Sequence, residues 1–208
     1  MDPSRRVASA DRIVFDGVVL AAGRSERMGR PKALLPVDAE SFLQRCIRVL
    51  QEGGCRGVIA VVPADAPDTI RLAEQSGALV VRSRSARAEQ IDSLRLGLRA
   101  LEDDVAAAVV LPVDHPLVEA GTVLTLLGAF REGAAPIVRP VYRGVPGHPT
   151  IFPRRLFAEL SASGLPHGAR SVIEAHAAEV VDVPVEDAGV VADIDTPEDY
   201  RRLVEGWC

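Results

Sequence analysis

Short apolar runs rich in valine and isoleucine recur through the first half of the chain: IVFDGVVL over 13–20, GVIAVV over 57–62, ALVV over 78–81 and VAAAVVLPV over 105–113. They alternate poorly between apolar and polar positions, as strands covered on both faces do. Between them the apolar period lengthens. In ESFLQRCIRVLQEGG the residues Phe42, Leu43, Cys46, Ile47, Val49 and Leu50 fall on one helical side, with Gly53 as a stop. APDTIRLAEQSG predicts a second helix ending at Gly77. EQIDSLRLGLRALE predicts a third, with Ile91, Leu94, Leu98 and Leu101 at helical spacing. This alternation predicts an α/β fold, a doubly wound and mostly parallel sheet with helices on both faces.

The second half is less regular. A helix is expected at about 119–132, then a glycine- and proline-punctuated pair of strands in PIVRPVYRGVPGHPTIF over 136–152. Helices near 153–162 and 168–178 follow, and then EVVDVPV. A last helix opens at TPEDYRRLVE, with Thr196 as N-cap, Pro197 at the first helical position and Asp199 closing a capping-box pattern.

Composition narrows the class. The 208 residues, 48% apolar and 25% charged, read as one globular domain, with residues 1–12 as a loose N-terminal extension. A net charge of −5 argues against a general nucleic-acid or anionic-membrane surface. Cys46, Cys55 and Cys208 are odd in number and lack metal-type spacing, which predicts a reducing, cytoplasmic setting. The N-terminus shows no signal-peptide pattern, and no window approaches the roughly 20 apolar residues of a membrane span.

Against this acidic background, VVLAAGRSERMGRPKALLP at 18–36 places Arg24, Arg27, Arg30 and Lys32 within nine residues, opposed only by Glu26. The loop follows the first core strand directly, so it belongs at the carboxyl edge of the sheet, where doubly wound folds bind ligands. Its glycines let backbone amides approach a ligand, and oriented amides beside mobile cations form an anion-binding concavity. Each cation–phosphate pair at about 4 Å is worth roughly 1–4 kcal/mol. A triphosphate uses such a cluster fully, where a single phosphate would not need it. The alternative is a solvated basic turn. Neither G-x-x-x-x-G-K-[ST] nor G-x-G-x-x-G is present, so this is neither a P-loop nor a dinucleotide fingerprint.

LAAGRSERMGRPKALLP resembles the signature L-A-[AG]-G-x-[SG]-x-R-M-G-x-x-K-x-L-L-P of the MobA-like nucleotidyltransferase superfamily, whose fold is Rossmann-like and glycosyltransferase-A-like. The resemblance extends over nearly the whole chain. SLRLGL (93–98), LPVDHPLV (111–118), GHPTIF (147–152), GARSVI (168–173) and DIDTPEDY (193–200) stand in the order seen in molybdopterin cytidylyltransferases. The resemblance implies a Mg²⁺-dependent enzyme (with Mn²⁺ as the other candidate ion) that transfers CMP from CTP to the phosphate of molybdopterin and releases pyrophosphate. It also implies a molybdoenzyme or accessory protein as the recipient of the product. Alanine at 22, where guanylyltransferase relatives have glycine, resembles the cytidylyl branch.

By the same resemblance, Leu20, Ala21 and Ala22 lie beside the base; Gly23, Arg24, Ser25 and Arg27 hold phosphates; and Lys32 sits against the α-phosphate. Gln90 and Ser93 fall near base and sugar, although Ser93 equally suits a helix surface. Asp114, at the end of a buried strand between prolines, is a metal ligand or a turn cap; Mg²⁺ favours one or two such carboxylates. The second carboxylate is Asp193 or Asp195. Only one of them is expected to face the metal, Asp193 being favoured and Asp195 assigned to the helix start. His148 and Arg170 are acceptor contacts, or else a loop histidine satisfying carbonyls and a surface arginine. His115 reads as a bystander. The chain departs from the cytidylyltransferase pattern at SARAEQ, where a glycine is often expected before Gln90, and at LPHGARS, where Gly-Asp often precedes the Gly-Ala-Arg element. Both departures bear on the acceptor or sugar. The competing readings are transfer to another phosphate or sugar phosphate, a non-catalytic nucleotide-binding factor that delivers a cofactor, and a glycosyltransferase using DID at 193–195 as its metal motif.

Overall fold

The computed structural model describes residues 13–23, 28–84 and 89–204. The expected N-terminal extension at 1–12, together with Arg24, Ser25 and Arg27, lies outside these residues. In chain order the elements are β1 (Val14–Leu20), β2 (Pro36–Val37), β3 (Glu40–Ser41), α1 (Phe42–Glu52), β4 (Val58–Pro63), α2 (Pro67–Gln75), β5 (Leu79–Ser83) and α3 (Gln90–Arg99). They continue with β6 (Val105–Pro112), α4 (Ala120–Glu132), β7 (Ile137–Tyr142), β8 (Val145–Pro146), β9 (Thr150–Pro153), α5 (Phe157–Ser161), α6 (Ala169–Ala175), β10 (Val180–Pro184) and α7 (Pro197–Leu203).

The main sheet runs β10-β7-β9-β6-β1-β4-β5, with β8 folded against β7. β6, β1, β4 and β5 are parallel, and β10 is parallel to β7. β9 is inserted antiparallel between β6 and β7. The sheet is therefore mixed but mostly parallel, as the alternating pattern requires. β1 and β6 are apolar on both faces because both faces are covered. Phe15, Val19, Ala107, Val109 and Leu111 share one core with the buried sides of α1, α2 and α4. Val18, Leu20, Ala108 and Val110 share the other with α3, α5 and α6. Fully burying each Leu, Ile, Val or Phe stabilises by about 1.5–3 kcal/mol, so these two layers fix the sheet and the edge on which its strands end.

The first half follows its sequence pattern closely. The second half needs correcting. The region expected to hold a pair of strands forms β7, β8 and β9; in the first half the one unexpected element is the short β2–β3 hairpin before α1. The helix expected near 153–162 begins as a 3₁₀ turn at Arg154–Leu156 before α5. The helix expected at 168–178 ends at Ala175, because His176 leaves helical geometry where its ring meets Glu159 and Glu179, each at 2.8 Å. At α7, the Thr196 hydroxyl accepts from the Asp199 amide at 3.1 Å and the Asp199 carboxylate accepts from the Thr196 amide at 3.0 Å, with Pro197 at the first position. Among the described residues no helix is long and apolar enough to cross a membrane.

Candidate active site

β1, β4 and β6 end on one edge of the sheet, and a cleft of about 1090 Å³ opens there. Leu20, Ala21, Ala22 and Gly23 line it where β1 gives way to the signature loop. Gln90 and Ser93 reach it from the first turn of α3; Ser93 is buried and faces the cleft, not the solvent side of the helix. Asp114 and His115 enter just beyond β6, with His148, Asp193 and Asp195 opposite in sequence but adjacent in space.

Three distant loops are brought together by backbone contacts. The Ile194 amide donates to the Asp114 carbonyl at 2.9 Å, and the His148 amide donates to the Val190 carbonyl at 2.8 Å. These approaches leave no room for side chains. A Cβ on Gly147 would stand 2.2 Å from the Val190 oxygen, and one on Gly189 would stand 2.2 Å from the Leu117 oxygen. Buried Asp187 completes the junction by accepting from the Gly189 amide (2.8 Å), the Glu119 amide (2.9 Å) and the Thr122 hydroxyl (2.8 Å). The loops along the cleft are thus tied to the start of α4.

Lys32 lies on a short 3₁₀ turn, Lys32–Leu34, and is almost wholly buried. Its ammonium donates to Asp195 Oδ1 and stands 3.7 Å from Asp114 Oδ2. The other Asp114 oxygen, Oδ1, is buried without a hydrogen-bond partner among the described residues. Donor atoms of Asp114, His115 and Asp193 lie within 4.8 Å of one another. Burial pushes the Asp114 carboxyl up, against the pull of Lys32. Asp193 is pushed up to about 6 by burial and then by the neighbouring Asp114 and Asp195 charges. Burial lowers His115 to about 4 and, with His115 beside it, His148 to about 3, so both imidazoles are neutral at pH 7. Their rings pack at a centroid distance of 4.8 Å, tilted by 56°.

A second cavity of about 690 Å³ adjoins the first and shares Leu20, Gln90, Pro112 and His148 with it. Its wall is largely apolar, from Leu94, Val110, Phe152 and Ile173. Arg170 lies on this second cavity, not on the cleft, with an exposed side chain paired to Glu174 at 2.9 Å.

Both Asp193 and Asp195 line the cleft; Asp193, favoured as the ligand from the sequence, is the one whose donor atom lies near those of Asp114 and His115, and Asp195 takes the Lys32 ammonium. Residues two apart share a side of an extended chain, and Ile194 between them is fully buried. His115, read from the sequence as a bystander, is buried in the cleft wall beside Asp114 and His148. Its place directly after a strand-end aspartate was the available signal. Buried Thr69 and Ser83, also on the cleft, carried no sequence signal of their own.

Residues 17–180 match the family described as the MobA-like NTP transferase domain. A probable molybdenum cofactor guanylyltransferase of Opitutus terrae is 33% identical over 202 residues, 93% of this chain and 96% of its own. A 2-C-methyl-D-erythritol 4-phosphate cytidylyltransferase of Saccharopolyspora erythraea is 39% identical over 131 residues, 60% of this chain and 58% of its own. Among solved structures, Rv0371c from Mycobacterium tuberculosis aligns with a TM-score of 0.82 at 30% identity, over 92% of this chain and 97% of its own. The complex of that protein with manganese aligns with a TM-score of 0.77 at 29% identity, over 92% and 98%.

Proposed function

The chain belongs to the MobA-like NTP transferase family, a family of nucleotidyltransferases, and from that premise we propose that it transfers CMP from CTP to the phosphate of molybdopterin. In this reaction an oxygen of the acceptor phosphate bonds to the α-phosphorus of CTP. The bond from that phosphorus to the bridging oxygen breaks, and pyrophosphate leaves with the electron pair. Such a displacement asks mainly for alignment and for stabilisation of charge. The observation that carries the reading is the buried Lys32 ammonium set between Asp195 and Asp114, at the edge where the signature loop begins.

The base rests along Leu20, Ala21 and Ala22, with Gln90 and Ser93 toward base and sugar. Gly23 opens the phosphate-holding loop, to which Arg24, Ser25 and Arg27 contribute from outside the described residues. Lys32 stabilises the α-phosphate as its charge grows, and Asp195 keeps the ammonium aimed along the cleft. Asp114, Asp193 and Asp195 are hard oxygen donors suited to Mg²⁺ or Mn²⁺. Asp114 Oδ1, which has no hydrogen-bond partner among the described residues, and the burial and then repulsion that raise Asp193 fit a divalent ion there. When bound, the ion neutralises phosphate charge at the leaving group. The acceptor occupies the second cavity, with His148 on the shared wall and Arg170 at the rim. Its apolar side, with Leu94, Val110, Phe152 and Ile173, suits the face of a ring system, and Gln90, Thr150 and His167 suit polar groups at its edge. Ala22 supports cytosine over guanine.

Pyrophosphate release tests this directly, with CTP or GTP, Mg²⁺ or Mn²⁺, and either molybdopterin or methylerythritol phosphate as acceptor. Turnover is expected with CTP and molybdopterin. Turnover with GTP alone would overturn the base assignment. Turnover with the sugar phosphate alone would overturn the acceptor.

A further inference from the structure

The cation pocket contains a nitrogen donor as well as carboxylates. His115 is 8% exposed, and its ring is held from behind by the His148 ring at 4.8 Å between centroids. Its Nε2 stands 3.8 Å from Asp114 Oδ1, beyond hydrogen-bond reach whichever atom carries the proton. That carboxylate oxygen is buried and finds no partner elsewhere among the described residues, while the His115 ring is itself hydrogen-bonded to the Gly189 backbone. Buried polar atoms are nearly always partnered, so the unsatisfied Asp114 oxygen beside the His115 ring calls for a missing group. Donor atoms of Asp114, His115 and Asp193 all fall within 4.8 Å of one another, so a single small ion can reach one donor on each. A purely all-oxygen Mg²⁺ site has no use for the imidazole.

We propose that His115 is a nitrogen ligand in the divalent-cation site, so that the enzyme selects a transition ion such as Mn²⁺ or Co²⁺ over Mg²⁺. Imidazole suits borderline transition metals, whereas Mg²⁺ prefers oxygen and keeps much of its water. The proposal rests on the nucleotidyl-transfer reading for the site as a whole, but it concerns His115 alone. The tilted His148 ring packs against it, and the backbone hydrogen bond to Gly189 orients it in the way outer partners of metal-bound histidines commonly do.

The test needs neither nucleotide nor turnover. Full-length protein loaded with Mn²⁺ is examined by electron spin-echo envelope modulation for ¹⁴N coupling, alongside His115→Asn and Asp114→Asn variants. Mn²⁺ and Mg²⁺ affinities are measured by calorimetry, and metal-free melting confirms that each variant folds. The expected result is imidazole ¹⁴N modulation in the parent that disappears in His115→Asn. Mn²⁺ affinity should fall by roughly tenfold or more in that variant while Mg²⁺ affinity changes little. Binding that is lost in Asp114→Asn but shows no ¹⁴N modulation in the parent would overturn the nitrogen ligand and leave the carboxylate site standing. Modulation that persists in His115→Asn would also overturn the assignment. No Mn²⁺ binding, or binding indifferent to Asp114, would instead sink the metal-dependent reading of the cleft.

Discussion

Gly147→Ala should damage the protein far more than the addition of one methyl suggests. The new Cβ would stand 2.2 Å from the Val190 oxygen, 2.6 Å from its carbonyl carbon and 3.0 Å from its Cβ. Real Cβ atoms essentially never approach closer than 3.0 Å, so one backbone must retreat by about 0.8 Å, and neither neighbour is a flexible side-chain tip. The next residue's amide donates to that same Val190 oxygen at 2.8 Å, and a retreat of this size carries the bond past normal reach. Overpacking costs about 1–3 kcal/mol and the lost hydrogen bond about 0.5–1.5 kcal/mol, giving roughly 2–4 kcal/mol together. For a chain of this length, that lowers Tm by about 5–15 °C. The assay is urea unfolding and calorimetric melting of parent and variant. A stability change below about 0.5 kcal/mol would refute the claim that this backbone junction is tight and holds the histidine and aspartate loops together.

Gly128→Ala is the matched control: beyond its own helix backbone and chain neighbours no described atom lies within 4 Å of where its Cβ would stand, and it sits inside α4, so it should stabilise by about 0.5–1 kcal/mol in the same unfolding assay. Asp187→Ala strands three donors, the Gly189 and Glu119 amides and the Thr122 hydroxyl, and should cost about 3 kcal/mol or more in urea unfolding. His176 is raised above its ordinary 6.5 by hydrogen bonds to Glu179 and then Glu159. Its contribution to stability is therefore fully present below 6.5 and is lost as pH rises through the folded value. Melting of parent and His176→Gln should accordingly differ more at pH 5.5 than at pH 8.5, and an equal difference at both would count against the pairing.

The parts of this fold that were legible in the sequence are the parts decided locally or by burial on both faces. β1, β4 and β6 announced themselves as valine-rich runs because helices cover both sides of them, while β5 shows the same run at the sheet edge with Leu79 left exposed. Thr196, Pro197 and Asp199 gave the start of α7 because capping is decided within four residues. β8, at two residues, is too short to show a period, and the insertion of β9 between β6 and β7 is a long-range choice that no local pattern records. The site divides in the same way. Lys32 and Asp114 could be found from loop and strand-end positions, and the structure brings them to 3.7 Å. The convergence of Asp193, Asp195, His115 and His148 depends on Gly147 and Gly189 meeting carbonyls more than 40 and 70 positions away in the chain. That meeting exists only once the sheet has formed.

The core of the account is that Lys32 acts on the phosphoryl group being transferred and does more than hold the nucleotide. The most direct check compares kcat for pyrophosphate release, with CTP and molybdopterin at saturation, and the Kd for CTP in the parent and in Lys32→Ala. Removing one preorganised charge that acts on the transition state should lower kcat by about 100- to 1000-fold while Kd moves by less than about tenfold. A kcat within a few-fold of the parent, or losses of equal size in kcat and affinity, would contradict it and reduce the cleft to a nucleotide-binding site.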